Sequence, residues 1–295
     1  MSDAGGFEEH RARLVGLAYR MLGSVSDAED AVQDAWLRWR EADRGAVRSE
    51  PAFLNTVVTR LCLDRLRRAR GRRVDYVGPW LPEPALSAAE GDRTDADGIG
   101  SEASFALMLA LERLSPLERA AFLLHDVFGM DFDEVGRALE RTAETCRKLA
   151  SRARVHVRDE RPRFRVSPEE GARVAEAFRV AVRDGDLDGL RAMLADSATL
   201  VSDGGGRKHA ALLPIVGADK IARLYVGLSK KGILVEPRWH RPMRINGLPG
   251  WASREADGTL QTVALAVEEG RIATIYVTRN PDKLAHLERL ERDGA

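Results

Sequence analysis

Through the first 160 residues, apolar positions recur at i, i+3, i+4 and i+7, the period of helices with one buried face. Phe7 to Leu22 reads as a helix with Leu14, Leu17, Ala18, Met21 and Leu22 inward, closed by Gly23. Ser26 with Glu29 reads as a capping box for a second helix, Asp27 to Arg40, whose inward side is Ala28, Ala31, Val32, Ala35, Trp36 and Trp39. Pro51 opens a long helix to about Ala69, with Phe53, Leu54, Val57, Val58, Leu61, Cys62 and Leu66 inward. Phe105 to Leu114 gives a further helix. Ser115-Pro116-Leu117-Glu118 caps the next, which Gly129 ends.

Asp131 to Val157 reads as two short helices around a tight turn. Asp131 and Glu134 suit a capping box, and Phe132, Val135 and Leu139 hold one apolar face. The turn falls near Glu140 to Thr142, with Thr142 capping the second helix. In that helix Cys146, Leu149, Ala150 and Ala153 form the buried stripe. Glu144, Lys148 and Ser151 lie opposite, flanked by Arg147 and Arg152, with Thr145 in the first turn. A basic helix on a small apolar one is the layout of a helix-turn-helix reader of the DNA major groove. A helical hairpin with a merely solvated charged face has the same pattern.

Between residues 74 and 104 the periodicity stops. The stretch is rich in Pro, Gly, Ala and acid, as expected of a linker, yet it holds Trp80-Leu81-Pro82-Glu83-Pro84, too apolar for a solvated spacer. After a basic connector at 161–167, Ser167-Pro168-Glu169-Glu170 caps a helix to about Arg183, followed by a short helix, Leu187 to Leu194. Strands are expected at Thr199–Ser202, Ile233–Ile245, Trp251–Glu255, Thr259–Glu268 and Arg271–Arg279, with a helix from Gly217 to Lys230. Asp203-Gly204-Gly205-Gly206-Arg207-Lys208-His209, Asp257-Gly258 and Glu269-Gly270 are turns, and Asn280-Pro281 starts a final helix. The order implies an α+β domain built on an antiparallel sheet.

Composition changes this picture little. The 295 residues suffice for two or three domains, and 44% hydrophobic with 31% charged residues is a globular balance. Lys plus Arg equals Asp plus Glu at 46 each, so any nucleic-acid surface must be local. Such a surface is visible at the end of the third helix, where Arg60, Arg65, Arg67, Arg68, Arg70, Arg72 and Arg73 face only Asp64. Asn55, Thr56 and Arg60 suit polar contact with bases or sugars. The opposite sign collects at Glu29, Asp30, Gln33 and Asp34, either a helix N-terminal preference or a docking face for a basic partner. Cys62 and Cys146 both fall in apolar stripes, which argues against a disulfide framework or a metal site and suits a reducing cytoplasm. No membrane-length apolar run or signal-peptide pattern is visible.

Taken together, these segments resemble an extracytoplasmic-function sigma factor of the sigma-70 family. Trp80-Leu81-Pro82-Glu83-Pro84, Asp203-Gly204-Gly205-Gly206 and Asn280-Pro281-Asp282-Lys283-Leu284 are similar to signatures of its SigJ-like subgroup. The resemblance implies two all-α domains, 7–73 and 105–160, joined by the linker 74–104, and then a SnoaL-like, NTF2-like α+β cone at 166–291. Core RNA polymerase and promoter DNA are the implied partners, with no membrane, cofactor, metal or catalytic residue. Glu29, Asp30, Gln33 and Asp34 would then dock on the polymerase. Asn55, Thr56, Arg60, Arg65, Arg67 and Arg68 would melt and read the minus-ten element. Thr142, Glu144, Thr145, Arg147, Lys148, Ser151 and Arg152 would read the minus-thirty-five element. Trp80 to Pro84, with Asp203, Gly204, Gly205 and Asn280 to Lys283, would form a regulatory contact between domains.

Two other readings compete. A one-component helix-turn-helix regulator with a ligand-sensing domain would bind DNA unaided and have no use for the acidic face at 29–34. An enzyme would use the residue types at Asp203, Lys208 and His209 for acid–base work, although a tight turn with a solvated histidine explains them equally. A small-molecule ligand in the cone is compatible with the pattern, which names none.

Overall fold

The structure, a computed structural model, describes residues 4–47, 49–69, 76–88, 104–158 and 166–288. Arg70, Arg72, Arg73, most of the acidic linker and the 161–165 connector lie outside them. The chain divides into two compact units, Met1–Val74 with Thr94–Arg161 and Asp75–Arg93 with Pro162–Ala295.

In the first unit, α1 (Ala4–Leu22), α2 (Val25–Glu41) and α3 (Glu50–Ala69) pack around Phe7, Leu14, Leu17, Ala31, Val32, Leu54 and Val58, all nearly or wholly inaccessible. Gly23, at φ 74°, ends α1 by donating to the Tyr19 carbonyl. The cap of α2 differs from expectation: Ser24, not Ser26, accepts the Asp27 N–H at 3.1 Å. Val25 is already helical, so Ser26 lies inside the first turn. Helices α4 (Phe105–Glu112) and α5 (Pro116–Phe122) follow, and α5 runs on through a π-helical turn, Leu123–Val127. The expected capping box at Ser115 and Glu118 is present in both directions.

These two helical segments form one unit, and arginines contribute to the seam. Arg119 of α5 is buried, pairs with Glu112 at 2.7 Å and donates to the Met21 carbonyl at 2.7 Å, at the C-terminal end of α1. Arg13 of α1 donates to the Phe128 carbonyl at 3.0 Å. Helix C-termini leave carbonyls without intrahelical donors, and a guanidinium supplies donors together with favourable charge.

The second unit holds α8 (Pro168–Asp184), α9 (Leu187–Met193) and α10 (Ala218–Lys230) with strands β1 (Leu86–Ala88), β2 (Leu194–Asp203), β3 (Ile215–Val216), β4 (Trp239–Ile245), β5 (Leu248–Arg254), β6 (Leu260–Glu268) and β7 (Arg271–Thr278). The strands form one open sheet in the order β1-β4-β5-β6-β7-β2-β3. Phe178 and Tyr225 from the helices join Leu200, Trp251, Val263, Leu265, Ile275 and Val277 in a single core. Leu265 faces Ile275 and Val263 faces Val277 across the β6–β7 ladder, the pairing that stabilises a half-buried sheet. This is the helices-and-sheet cone that the resemblance implied.

Four features depart from the sequence reading. The pair β2–β7 is parallel, within a sheet expected to be antiparallel; these strands lie far apart in sequence, so no tight hairpin constrains them. The strand expected over 233–245 begins only at Trp239, after Gly232 at φ 66° and the N–H-lacking Pro237. The segment expected to start the final helix opens instead as a 3-10 turn, Pro281–Lys283, capped by Asn280, and α-helical residues begin only at Leu287. Finally, residues of the linker enter the sheet: β1 pairs antiparallel with β4, Leu86 opposite Ile245.

That edge is held at the β4–β5 turn. Asn246, at φ 49°, is wholly buried, accepts the Ala85 N–H on its side chain at 3.1 Å, and donates its own N–H to the Ala85 carbonyl at 2.7 Å. Asn246→Ala would leave the Ala85 N–H unpaired and place a methyl-bearing residue at positive φ. The expected loss is about 1–3 kcal/mol in urea unfolding of the full chain. A loss below about 0.5 kcal/mol would show that the linker strand is not coupled to the sheet.

Candidate functional site

The helix-turn-helix is built as its capping residues dictate. Helix α6 (Phe132–Leu139) starts at Asp131, whose carboxylate accepts the Glu134 N–H at 2.7 Å while Glu134 accepts the Asp131 N–H at 3.2 Å. It ends at Glu140, which adopts the left-handed conformation at φ 56°. Gly136 faces the turn so closely that a Cβ there would lie 2.7 Å from the Arg141 carbonyl oxygen. Thr142 then caps α7 (Ala143–Arg158), accepting the Thr145 N–H at 3.2 Å. Cys146, Leu149, Ala150 and Ala153 are buried as expected, and Glu144, Thr145, Arg147, Lys148, Ser151 and Arg152 are exposed.

The cations of α7 have different surroundings. Lys148 pairs with Glu144 at 2.7 Å along the exposed face. Arg152 pairs with Glu118 of α5 at 2.6 Å, and Arg154 with Asp126 at 2.7 Å, so both brace α7 against α5 and its π-helical extension. The Arg152 guanidinium, helped by Ser115, holds the Glu118 carboxyl below its ordinary range. The guanidinium of Arg147 lies over the Phe132 ring, 5.4 Å from its centroid.

In α3 the residues expected to contact DNA divide into two sets. Arg67 and Arg68 are exposed, Arg67 in contact with Asp64. The others are engaged within the unit. Asn55 is buried, with its amide 3.8 Å from the Met130 sulfur, and Thr56 donates to the Ala52 carbonyl at 2.8 Å. Arg60 donates to the Ala138 and Arg137 carbonyls at 3.0 and 2.8 Å, closing the C-terminus of α6. Arg65 donates to Asp34 at 2.8 Å and to the Asp27 carbonyl at 3.1 Å, so two residues expected to serve different partners bind each other. Glu29, Asp30 and Gln33 are exposed on α2. Burial pushes the Cys62 thiol up to about 12, which keeps it protonated and inert.

In the second unit the three signature segments converge on Asp203. Its side chain is wholly buried at the end of β2 and accepts four donors: the Tyr76 hydroxyl, the Leu81 N–H at 2.9 Å, the Gly205 N–H at 3.0 Å and the Lys283 ammonium at 2.7 Å. Lys283 also contacts the Leu81 carbonyl and lies 4.3 Å from the Trp80 ring centroid and 4.9 Å from that of Tyr76. Asn280 donates to the Tyr76 oxygen at 2.9 Å and accepts the Asp282 N–H at 3.0 Å. Gly205 is obligatory here: a Cβ would meet the Asn280 amide at 2.4 Å, and its φ is 59°. Arg207 pairs with Asp282 at 2.8 Å. Glu83 is buried, with His286 3.1 Å away. Burial, and then the bond to Asp203, raise the Tyr76 phenol above its ordinary value, so it remains a donor.

Sequence reasoning missed Tyr76, Asn246, His286 and Arg119 as site or seam residues. The Asn246-Gly247 dipeptide, a hairpin signal, could have located the first contact of the linker strand; nothing local marks the others. The acid–base set is not assembled: Asp203 binds the linker, Lys208 donates to Thr259 at 3.1 Å, and His209 is exposed with its carbonyl accepting from Arg279. Among the described residues no group of three or more His, Cys, Asp or Glu is placed to hold a metal, and no helix is long and apolar enough to cross a membrane.

Comparison with known proteins agrees with this layout. Residues 7–72 match the family model for sigma-70 region 2, and residues 104–157 that for sigma-70 region 4. The chain is 37% identical over 288 residues to the ECF RNA polymerase sigma factor SigJ of Mycobacterium tuberculosis, covering 94% of this chain and 91% of that one. It is 34% identical over 296 residues to a probable ECF RNA polymerase sigma factor, SigI, of the same organism, covering 97% and 95%. The crystal structure of M. tuberculosis SigJ superposes with a TM-score of 0.77 at 34% identity, covering 95% of this chain and 98% of that one. A two-helix reader, a helix with an exposed acidic face and a linker held by a C-terminal sheet occur in one chain, and by its family matches and full-length relatives the chain belongs to the extracytoplasmic-function (ECF) sigma factors of the sigma-70 family.

Proposed function

We propose that this sigma factor controls its own promoter engagement through the grip of its C-terminal unit on the linker between its two helical domains. The carrying observation is Asp203, a buried carboxylate whose donors include two from the linker, Tyr76 and the Leu81 N–H. Residues 7–73 form the first domain, with Glu29, Asp30, Gln33 and Asp34 docking on core polymerase and Asn55, Thr56, Arg60, Arg65, Arg67 and Arg68 serving the minus-ten element. Residues 105–160 form the second, whose α6–α7 pair serves the minus-thirty-five element through Thr142, Glu144, Thr145, Arg147, Lys148, Ser151 and Arg152. Residues 166–291 act by binding the linker 74–104, not by catalysis. The occupied carboxylate of Asp203 supports that assignment, and work with core polymerase would be done in the cytoplasm.

The two promoter elements are on the order of 25 base pairs apart, about 85 Å at 3.4 Å per step. Asn55 and Arg60 contact the second helical domain directly. Promoter binding therefore requires α3 to part from α6, and the linker is the only covalent path between them. A linker pinned to a third domain limits that separation.

Run-off transcription with core polymerase tests the reading. Initiation should depend on added core, and a chain ending near Arg165 should differ from full length by at least about threefold in rate. Tight duplex binding by the protein alone, without core-dependent product, would favour a one-component regulator instead.

A second test isolates the grip. Lys283→Met keeps the apolar stem and removes the charge that pairs with Asp203; breaking one side of a buried pair costs about 3–5 kcal/mol. Proteolysis near Tyr76 to Leu81 should accelerate more than tenfold and the transcription rate should change. Paired replacement of Asp282 and Lys283 by alanine should act in the same way, with the fold retained by circular dichroism. Unaltered transcription in both variants would sink the regulatory claim.

A further inference from the structure

Four cations with described side chains project from α7, and three of them have acid partners: Lys148 with Glu144, Arg152 with Glu118 and Arg154 with Asp126. Among the described residues Arg147 has no acid partner. Its neighbour is an aromatic ring, Phe132 at the start of α6, 5.4 Å from guanidinium carbon to ring centroid. Phe132 in turn stacks on His125, with centroids 3.9 Å apart and planes at 25°. His125 is fixed from below, its Nδ1 2.8 Å from the Met130 carbonyl oxygen. The contacts thus run from the π-helical extension of α5 through α6 to the exposed flank of α7.

The chemistry of this arrangement is specific. An aromatic face attracts a guanidinium through the ring quadrupole and uses none of its five N–H donors. The planar fork keeps its edge for an external acceptor pair. Arg152 and Arg154, in contrast, direct Nε at carboxylates of the scaffold. Arg147 is the fifth residue of α7, in the N-terminal half of the helix, the part that a helix-turn-helix presents to base edges. In the major groove, guanine offers O6 and N7 as a paired acceptor that a guanidinium fork meets with two fixed, parallel N–H groups, whereas an ammonium reaches it as a point charge on a flexible stem.

We propose that Arg147 is the guanine-selecting residue of α7, and that Phe132, backed by His125, is the positioning residue that aims it. The inference rests on the sigma-factor reading and deepens it, by naming one base edge and the side chains that select it.

The test is core-dependent transcription by the full-length protein from a pool of templates with a randomised upstream element, followed by sequencing of the transcripts. Wild type is expected to favour guanine at one position by about tenfold or more over other bases. Arg147→Lys keeps the charge and loses the planar fork; it should reduce the guanine preference at that position by about threefold or more and leave preferences elsewhere in the element in place. Phe132→Leu keeps an apolar contact and loses the ring face, and should reduce the same preference by about threefold or more. Phe132→Trp, which restores an aromatic face, should recover it. A uniform fall in transcripts for every sequence with Arg147→Lys would mark a phosphate contact and overturn the proposal. So would an unchanged guanine preference in Phe132→Leu. Absence of core-dependent product from wild type on every template would overturn the sigma-factor reading, and this inference with it.

Discussion

The pairing of Asp203 with Lys283 is the constraint on which the C-terminal unit depends. Both groups are withdrawn from water, with side-chain exposures of 0% and 12%. A buried carboxylate is tolerable only when its lone pairs are filled and its charge is opposed. The pair alone does not meet that demand. Tyr76 and the Leu81 N–H supply two of the four donors to Asp203, while the Leu81 carbonyl, Trp80 and Tyr76 surround the ammonium. The linker is thus a structural component of the domain that grips it. Without the linker's Tyr76 and Leu81 N–H, the buried Asp203 would lose two of its four donors.

The helical unit solves a related problem with the opposite sign. Its arginines are numerous, yet Arg13, Arg60 and Arg119 point at backbone carbonyls near helix C-termini. They neutralise helix ends and join two helical segments. The balanced net charge of the chain therefore hides two populations of cation. One set is engaged inside the unit, and another, Arg67, Arg68 and Arg147 among them, lies on exposed helix surface.

What was legible in the sequence was what local chemistry decides. The capping boxes at Ser115 and Asp131, the tight turn near Glu140 to Thr142, the buried stripe of α7 and the glycine turns at 258 and 270 depend on neighbours within a few residues. The three signature segments were also recognisable, although only the fold brings them to one carboxylate. Strand β1 was not legible, because three residues among prolines become a strand only through pairing with β4, about 160 positions later. The parallel β2–β7 pair and the seam positions of Asn55 and Arg60 are long-range in the same sense. Helical spacing marks Arg60 as exposed and basic, but does not say that a second domain will present carbonyls to it.

The separation between Leu81 and Lys283 also has a meaning in time. They are 202 residues apart, so at about 5–20 residues per second roughly 10–40 s of synthesis lie between them. Both helical domains are complete before the strands β2 to β7, Asn280 or Lys283 exist. Every newly made chain therefore passes through an interval in which its linker has no domain to hold it. During that interval the nascent protein has the composition of an ordinary two-domain sigma factor. The residues that hold the linker are thus among the last of the chain to be made.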